Sequence, residues 1–455
     1  MSESLKSIGA KFVVNNFLIL GLAFFKSILI IRVLQESFYG KYQYILAICY
    51  FTEVLTGPTN FLVQRFYKID VENRYNIMWG SIIFKLLFVF VLVFFGLFLA
   101  HYFNFSWLRP LSDLLPITVL ILASIFFNTF LNSFKAILVG MESYDASNMI
   151  NFFEHLASFL LVVILFMLKV EKVSFLYLFL FSNSIIFSIE IFVCRKLLIE
   201  KSIWPKKNGS LKLFELIKKG VWSYKGYFLP LIGSSGLAGY LRKYIASFIF
   251  GIKEDFVTVT YYEVLKKIYD IIRKVIPSLM LFIVPTITPK IHDKDFSEKW
   301  SRYIKYYFSV SLIIGIFISL LLPFILKVYG LKEFENYELI SFLFNLSLIF
   351  TAGTTSVSSL IFTQKKTTIL LWGNIGKHLF LLTMIFLFNG QINMLLFCLF
   401  ETLSFLPLVL VFYVWCYGAL SNYREMLKWN LILMVLFGYF LFLNKGISRY
   451  MISII

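Results

Sequence analysis

The stretch Phe256 to Thr286, FVTVTYYEVLKKIYDIIRKVIPSLMLFIVPT, is long and apolar enough to cross a bilayer, yet six charges lie inside it. At about 100° per residue, Glu263, Lys266, Lys267, Asp270, Arg273 and Lys274 fall on one face about 120° wide, together with Pro277. Val264, Leu265, Ile268, Ile271, Ile272, Val275, Ile276 and Leu279 form the opposite face. An ionised side chain at the centre of a spanning helix costs about 2.5 to 3.5 kcal/mol, and each large apolar residue returns only about 0.3 to 0.6. Six charges at full depth outweigh the apolar residues, so this helix does not face lipid all round. Its stripe meets a wet cavity, ion-pairs within itself, or lies at the membrane surface.

The rest of the chain fixes the setting. Of 455 residues, 59% are hydrophobic, 19% aromatic and only 15% charged, and the mean hydropathy is +0.82. A soluble domain carries about 25% charged residues, so the composition is that of an integral membrane protein with little mass outside the bilayer. The net charge of +18 does not point to nucleic acid, because Lys and Arg accumulate in cytoplasmic loops. The N-terminal MSESLKSIGAKF runs into a full-length span without a small-residue cleavage site, so no cleaved signal peptide is expected. Cys49, Cys194, Cys398 and Cys416 lie in apolar segments without metal spacing and read as free buried thiols. His101, His155, His292 and His378 are scattered, and no metal site or cofactor is expected.

Hydropathy predicts twelve spans, at 10–32, 41–63, 77–100, 114–139, 149–168, 173–197, 221–250, 256–286, 302–326, 337–363, 367–388 and 392–417, with a shorter apolar stretch at 429–444 as the candidate for a thirteenth. The connection Arg195–Gly220 is rich in lysine and divides the spans six and six. The predicted organisation is an N-lobe over 1–200, a basic amphipathic linker over 201–220 near anionic lipids, a C-lobe over 221–417 and an extension over 418–455. With the N-terminus cytoplasmic, the basic loops fall on the inside. The outer loops are short and leave no room for an outward-facing catalytic domain. Glu36–Tyr44 and Glu254–Tyr262 echo one another between corresponding spans of the two halves, which points to parallel internal repeats.

The segment Ile30–Phe66, IIRVLQESFYGKYQYILAICYFTEVLTGPTNFLVQRF, resembles the first hairpin of bacterial polysaccharide (O-antigen) flippases, a family of the multidrug/oligosaccharidyl-lipid/polysaccharide exporter superfamily. Arg32, Leu34, Glu36, Phe38, Gly40 and Tyr42 carry the pattern, and Ala136–Tyr144 and Tyr244–Gly251 agree with it. One departure is Leu241-Arg242-Lys243, where members of that family often place an acid before the base. The resemblance implies an all-α polytopic membrane protein with two pseudo-symmetric six-helix lobes around a central cavity. It implies movement of an undecaprenyl-diphosphate-linked oligosaccharide across the bacterial inner membrane without covalent chemistry. The partners it implies are that lipid-linked substrate and membrane lipids, with a polysaccharide polymerase and a chain-length regulator as further candidates, and no nucleic acid.

Lys26, Arg32, Arg242, Lys243, Lys266, Lys267, Arg273 and Lys274, with Lys225 near the start of span 7, are the candidate cations for an anionic headgroup. Against this, Glu263–Lys267 and Asp270–Lys274 are i,i+4 pairs in the favourable order and partly neutralise the stripe. Glu53, Glu154, Glu263 and Asp270 are the candidates for coupling to an H⁺ or Na⁺ gradient, with Glu190 and Glu401 as further membrane acids. Each has an equal structural reading as the partner of a base on a neighbouring helix. Thr351–Ser359 reads as a close-packing surface, and Pro230 with Gly233-Ser-Ser-Gly236 as a bend in span 7. Two transport alternatives are an exporter of multiple drugs and a lipid II exporter; cationic drugs favour an acidic cavity, and this one reads basic. A membrane-embedded glycan polymerase or transferase needs paired acids and large loops, and the sequence offers neither.

Overall fold

The computed structural model describes residues 3–102, 109–205, 212–269, 336–363 and 367–419 and most of 313–332, and among the described residues there is no strand. Two compact units are formed, one by Met1–Val264 with Val328–Leu331 and the other by Leu265–Lys327 with Lys332–Ile455. Among the described residues, eight helical segments are long and apolar enough to cross a membrane. The chain is an all-α multi-pass membrane protein.

In the first unit the helices are α1 (Glu3–Leu34), α2 (Glu36–Cys49), α3 (Glu53–Ile69), α4 (Arg74–Tyr102), the short α5 (Arg109–Asp113), α6 (Leu115–Gly140), α7 (Tyr144–Met167), α8 (Lys172–Glu200), α9 (Leu213–Gly220), α10 (Lys225–Leu231) and α11 (Ala238–Ile252). A further helix, α12 (256–269), starts there. Leu62, Val63, Tyr67, Ile77, Ile82, Leu131, Ile137, Cys194 and Phe228 are buried together where α3, α4, α6, α8 and α10 meet. The Tyr67 hydroxyl, inside this cluster, donates to the Ile203 carbonyl at 2.8 Å. The linker helix α9 buries Leu216 and Ile217 and leaves Leu213 and Phe214 exposed; it packs along α4.

Two spans of this unit are interrupted, and both breaks have a local cause. The second span runs from Glu36 to Ile69 but changes to a tighter 3₁₀ turn at Tyr50–Thr52. Pro58 follows inside α3. Lacking an N–H, it leaves the carbonyl four residues back, that of Val54, without its helical donor. The seventh span passes through a wide π-helical turn, Ile232–Leu237, between α10 and α11. Gly236 of that turn lies against the Val54 carbonyl and the Pro58 ring, and a Cβ on it would collide with that carbonyl. The predicted bend at Gly233–Gly236 is thus a π turn seated on a proline-loosened stretch of α3.

The two echoing segments touch. Gly40 of α2 meets the Phe256 backbone so closely that any Cβ would clash with the Phe256 carbonyl. Thr260 Oγ1 donates to the Glu36 carbonyl at 2.6 Å, and the Tyr44 and Phe256 rings lie 6.1 Å apart. The turn before α2 is made by Gln35, which takes a positive φ of 64° and accepts a hydrogen bond from Lys172.

In the second unit, α13 (Leu320–Tyr329) contributes its first residues, followed by α14 (Tyr337–Thr363), α15 (Thr367–Leu387), α16 (Met394–Leu403) and α17 (Phe405–Ala419). The helix α16 is capped by Asn393, whose side chain accepts from the Leu396 N–H at 2.9 Å. Tyr269 packs here as core: its hydroxyl lies 2.7 Å from Ser341 Oγ and its ring stacks on Phe344 at 5.1 Å. Thr351 and Thr354 return their hydroxyls to the carbonyls of Ser347 and Phe350, the back-bonding expected of a packing surface. Asp270, Arg273, Lys274 and the apolar stretch 429–444 lie outside the described residues.

Candidate functional site: a charged, amide-lined cavity in the first unit

The 3₁₀ turn at Tyr50–Thr52 places Glu53 in the first turn of α3, inside the bilayer-crossing segment. Lys243 of α11 reaches it from 190 residues away in sequence, with Nζ 3.0 and 3.1 Å from the two carboxylate oxygens. The same ammonium lies over the rings of Tyr244 at 4.8 Å and Tyr50 at 5.4 Å, a cation–π arrangement that keeps it from swinging into lipid. Tyr50 and Tyr244 are themselves stacked at 5.9 Å.

Beside this pair is a cavity of about 370 Å³, within the size range of small-molecule sites, about 300 to 1,000 Å³. Glu53, Thr56 and Asn60 line it from α3, Asn128, Thr129 and Asn132 from α6, and Gly236, Tyr240, Arg242 and Lys243 from the π turn and α11. Tyr240 is fixed by donating to the Ala47 carbonyl at 2.7 Å. Among the described residues, the charged groups on this wall are two cations and one acid.

The remaining predicted residues are spread over the structure. Lys26 donates to Ser158 Oγ at 3.1 Å and lines a separate space of about 180 Å³ that also holds Glu154 and His155. Glu154 is paired with Lys135 of α6. Arg32 is anchored by Nε to the Val328 carbonyl at 2.9 Å and lines a third space of about 600 Å³ with Lys41 and Lys172. Glu263 is buried and accepts from Ser247 Oγ at 2.7 Å. Lys266 is buried too, and Lys267 is half-buried. Glu190 and Glu401 are buried in α8 and α16. The structure therefore brings Glu53, Arg242 and Lys243 together, and places Lys26 with Glu154.

Sequence reasoning missed three groups. Lys85, in the middle of α4, is 1% exposed and donates to Asn60 Oδ1 at 2.9 Å and to Ser133 Oγ at 2.7 Å. Lys135 is buried. Asn60, Asn128 and Asn132 all line the cavity. A lone lysine in the apolar run Ile82–Leu87 is itself a signal, since intramembrane charges are costly and functional by default. Among the described residues no cluster of His, Cys, Asp or Glu has the make-up of a metal site. Cys49, Cys194 and Cys398 are free and buried.

The fold is similar to that of several solved membrane transporters. Among solved structures, the lipid II flippase MurJ in an inward-closed conformation matches with a TM-score of 0.69 at 14% identity, over 94% of this chain and 92% of that one. An inward-facing multidrug-resistance MATE-family transporter of the MOP superfamily matches with a TM-score of 0.57 at 14% identity, over 92% and 96%. A MOP-superfamily transporter from Pyrococcus furiosus, described by a binding pocket of reverse polarity, matches with a TM-score of 0.56 at 15% identity, over 91% and 97%. No protein-family model and no curated protein sequence matches the chain.

Proposed function

We propose that the chain is a flippase that carries an undecaprenyl-diphosphate-linked oligosaccharide from the inner to the outer leaflet of a bacterial cytoplasmic membrane, with its N-terminus cytoplasmic, by alternating access. The observation that carries this reading is the charge of the cavity wall, where the described lining holds the cations Arg242 and Lys243 beside the acid Glu53. A diphosphate is an anion with many acceptor oxygens, and clustered Arg and Lys suit it. Lys243 already shares Glu53, so an arriving diphosphate competes with that carboxylate for the ammonium. Glu53 then becomes the group whose charge is rebalanced during the cycle, by a proton or a sodium ion. Arg242 and Lys243 also disfavour a cationic cargo, which places export of cationic drugs second.

The likeness to the lipid II flippase favours one further reading, lipid II as cargo, which shares the lipid diphosphate and differs in the glycan. The test is transport by the purified protein in proteoliposomes, using tail-labelled fluorescent undecaprenyl-diphosphate oligosaccharide in one arm and fluorescent lipid II in the other. Loss of fluorescence to an impermeant reductant beyond the outer-leaflet fraction reports flipping. Rates equal to those of empty vesicles in both arms overturn the proposal, and movement of lipid II alone selects the second reading.

A further inference from the structure

We infer that Asn60, Asn128 and Asn132 form a subsite for a neutral sugar ring next to the Arg242–Lys243 cations, and that buried Lys85 sets its hydrogen-bonding polarity. The inference rests on the flippase reading and names the part of the cargo that this wall recognises.

The polarity follows from donor chemistry. An ammonium can only donate, so the atom of Asn60 that meets Lys85 Nζ at 2.9 Å is its oxygen. Asn60 therefore keeps its NH₂ for the cavity that it lines, and among the described residues that NH₂ has no partner. The other contact of Lys85 is equally determined. Ser133 Oγ donates to the Thr129 carbonyl at 2.8 Å, so only its lone pairs remain for Lys85 at 2.7 Å. Across the wall, Asn132 Nδ2 donates to Asn128 Oδ1 at 3.0 Å, which leaves the Asn128 NH₂ and the Asn132 oxygen for the cavity. These three neutral amides thus offer two donors and one acceptor beside the charged groups of the wall.

That mixture selects a class of ligand. A phosphate presents acceptors alone and has no use for the Asn132 oxygen. The charged nitrogen of a cationic drug accepts no hydrogen bond and so gives the two NH₂ groups nothing to donate to. A sugar hydroxyl both donates and accepts, and a ring bearing several of them matches an alternating amide row. Tyr240, which also lines the cavity, brings an aromatic ring to the same wall. A lysine excluded from water is costly, and Met would fill the same volume. Its retention is accounted for if the orientation of Asn60 has to be fixed. Lys85 is thus a positioning residue, and the amides make the contact.

The test compares two tail-labelled probes in proteoliposomes, undecaprenyl diphosphate bearing a disaccharide and the same lipid diphosphate with no sugar. Asn128→Leu is expected to slow the disaccharide probe about tenfold, the scale of one lost polar contact, and to leave the sugar-free probe unchanged. Lys85→Met is expected to lower the same ratio about threefold, with Lys85→Arg restoring it, because a free Asn60 amide can turn either way. Equal slowing of both probes, or no change in either, overturns the subsite. Should wild type move neither probe, the flippase reading has failed on its own. The subsite is then judged by thermal stabilisation of the detergent-solubilised protein by the free disaccharide: stabilisation of wild type but not Asn128→Leu supports it, and equal response of the two overturns it.

Discussion

Lys243 Nζ sits almost equidistant from the two carboxylate oxygens of Glu53, at 3.0 and 3.1 Å, and over the faces of Tyr50 and Tyr244. The ion pair joins α3 to α11 at the point where each helix has just left an irregular turn. Both side chains keep some access to solvent, 49% for Lys243 and 32% for Glu53, so the pair is open to exchange.

Charge removal here is non-additive. Glu53→Gln or Lys243→Met alone leaves one charge without its counterpart, and the double variant removes both. A double-mutant cycle on thermal stability in detergent is expected to give a coupling of about 1 kcal/mol, on the scale of partly exposed pairs. On the proposed flippase reading, Lys243→Met is expected to slow transport of a lipid diphosphate, and Glu53→Gln to retain binding and lose dependence on pH or Na⁺. Unaltered ion dependence in Glu53→Gln removes that carboxylate from the coupling scheme.

The pair Lys135–Glu154 behaves differently because it is more enclosed, with side-chain exposures of 9% and 22%. Removing one partner of a buried pair costs about 3 to 5 kcal/mol, and replacing both by apolar groups costs much less. Lys135→Met is therefore expected to lower the melting temperature sharply, and adding Glu154→Leu to recover most of the loss. Equal melting of Lys135→Met and wild type contradicts the assignment.

Gly40→Ala tests the close approach of α2 and α12. The added Cβ meets the Phe256 carbonyl, a backbone atom that cannot rotate away. Overpacking of this kind costs about 1 to 3 kcal/mol, read as a lower melting temperature and reduced yield of folded protein. Gly57→Ala, with open space around the new Cβ, serves as the matched control and should melt like wild type.

The loop after α3 gives a pH dependence. The Tyr224 hydroxyl donates to Asp70 Oδ2 at 2.5 Å, and Asn73 adds two further bonds. The tyrosine bond holds the Asp70 carboxyl below its usual range; burial opposes it, and the two Asn73 bonds add to the lowering. A lowered carboxylate stabilises the fold above its unfolded pKa of about 3.9, and that stabilisation disappears as pH falls through the lower folded value. Tyr224→Phe is accordingly expected to melt below wild type at neutral pH, with the gap narrowing as the buffer is taken below about pH 4. A gap that is constant with pH assigns the loss to packing alone.

Spans were legible because lipid imposes them: the apolar stretches 41–63, 114–139 and 173–197 overlap the spanning segments of α2–α3, α6 and α8. Gly40 stood in the family pattern and Phe256 in the echo between the halves, though their contact was not legible. Lone residues proved hardest to read. Nothing in the run around Lys85 announces Asn60 and Ser133, since those contacts join residues 25 and 48 positions away. Glu53 looked like a mid-span acid, and its place in the first turn of α3 depends on a 3₁₀ break of three residues that hydropathy does not register. The charged stripe at Glu263–Lys274 was the loudest feature in the sequence, but the cavity described here is built around Glu53 and Lys243.

The π turn at Ile232–Leu237 also sets a rotational phase. A π bulge amounts to one extra residue inserted into an α-helix, and each residue turns the chain by about 100°. Everything C-terminal to the turn is therefore dialled round by roughly that angle relative to a continuous helix. Arg242 and Lys243 owe their direction to that offset. Straightening 232–237 into regular α-helix without removing a residue would leave the span able to cross the membrane while pointing both cations away from Glu53, whereas deleting one residue there would remove the turn and keep their direction.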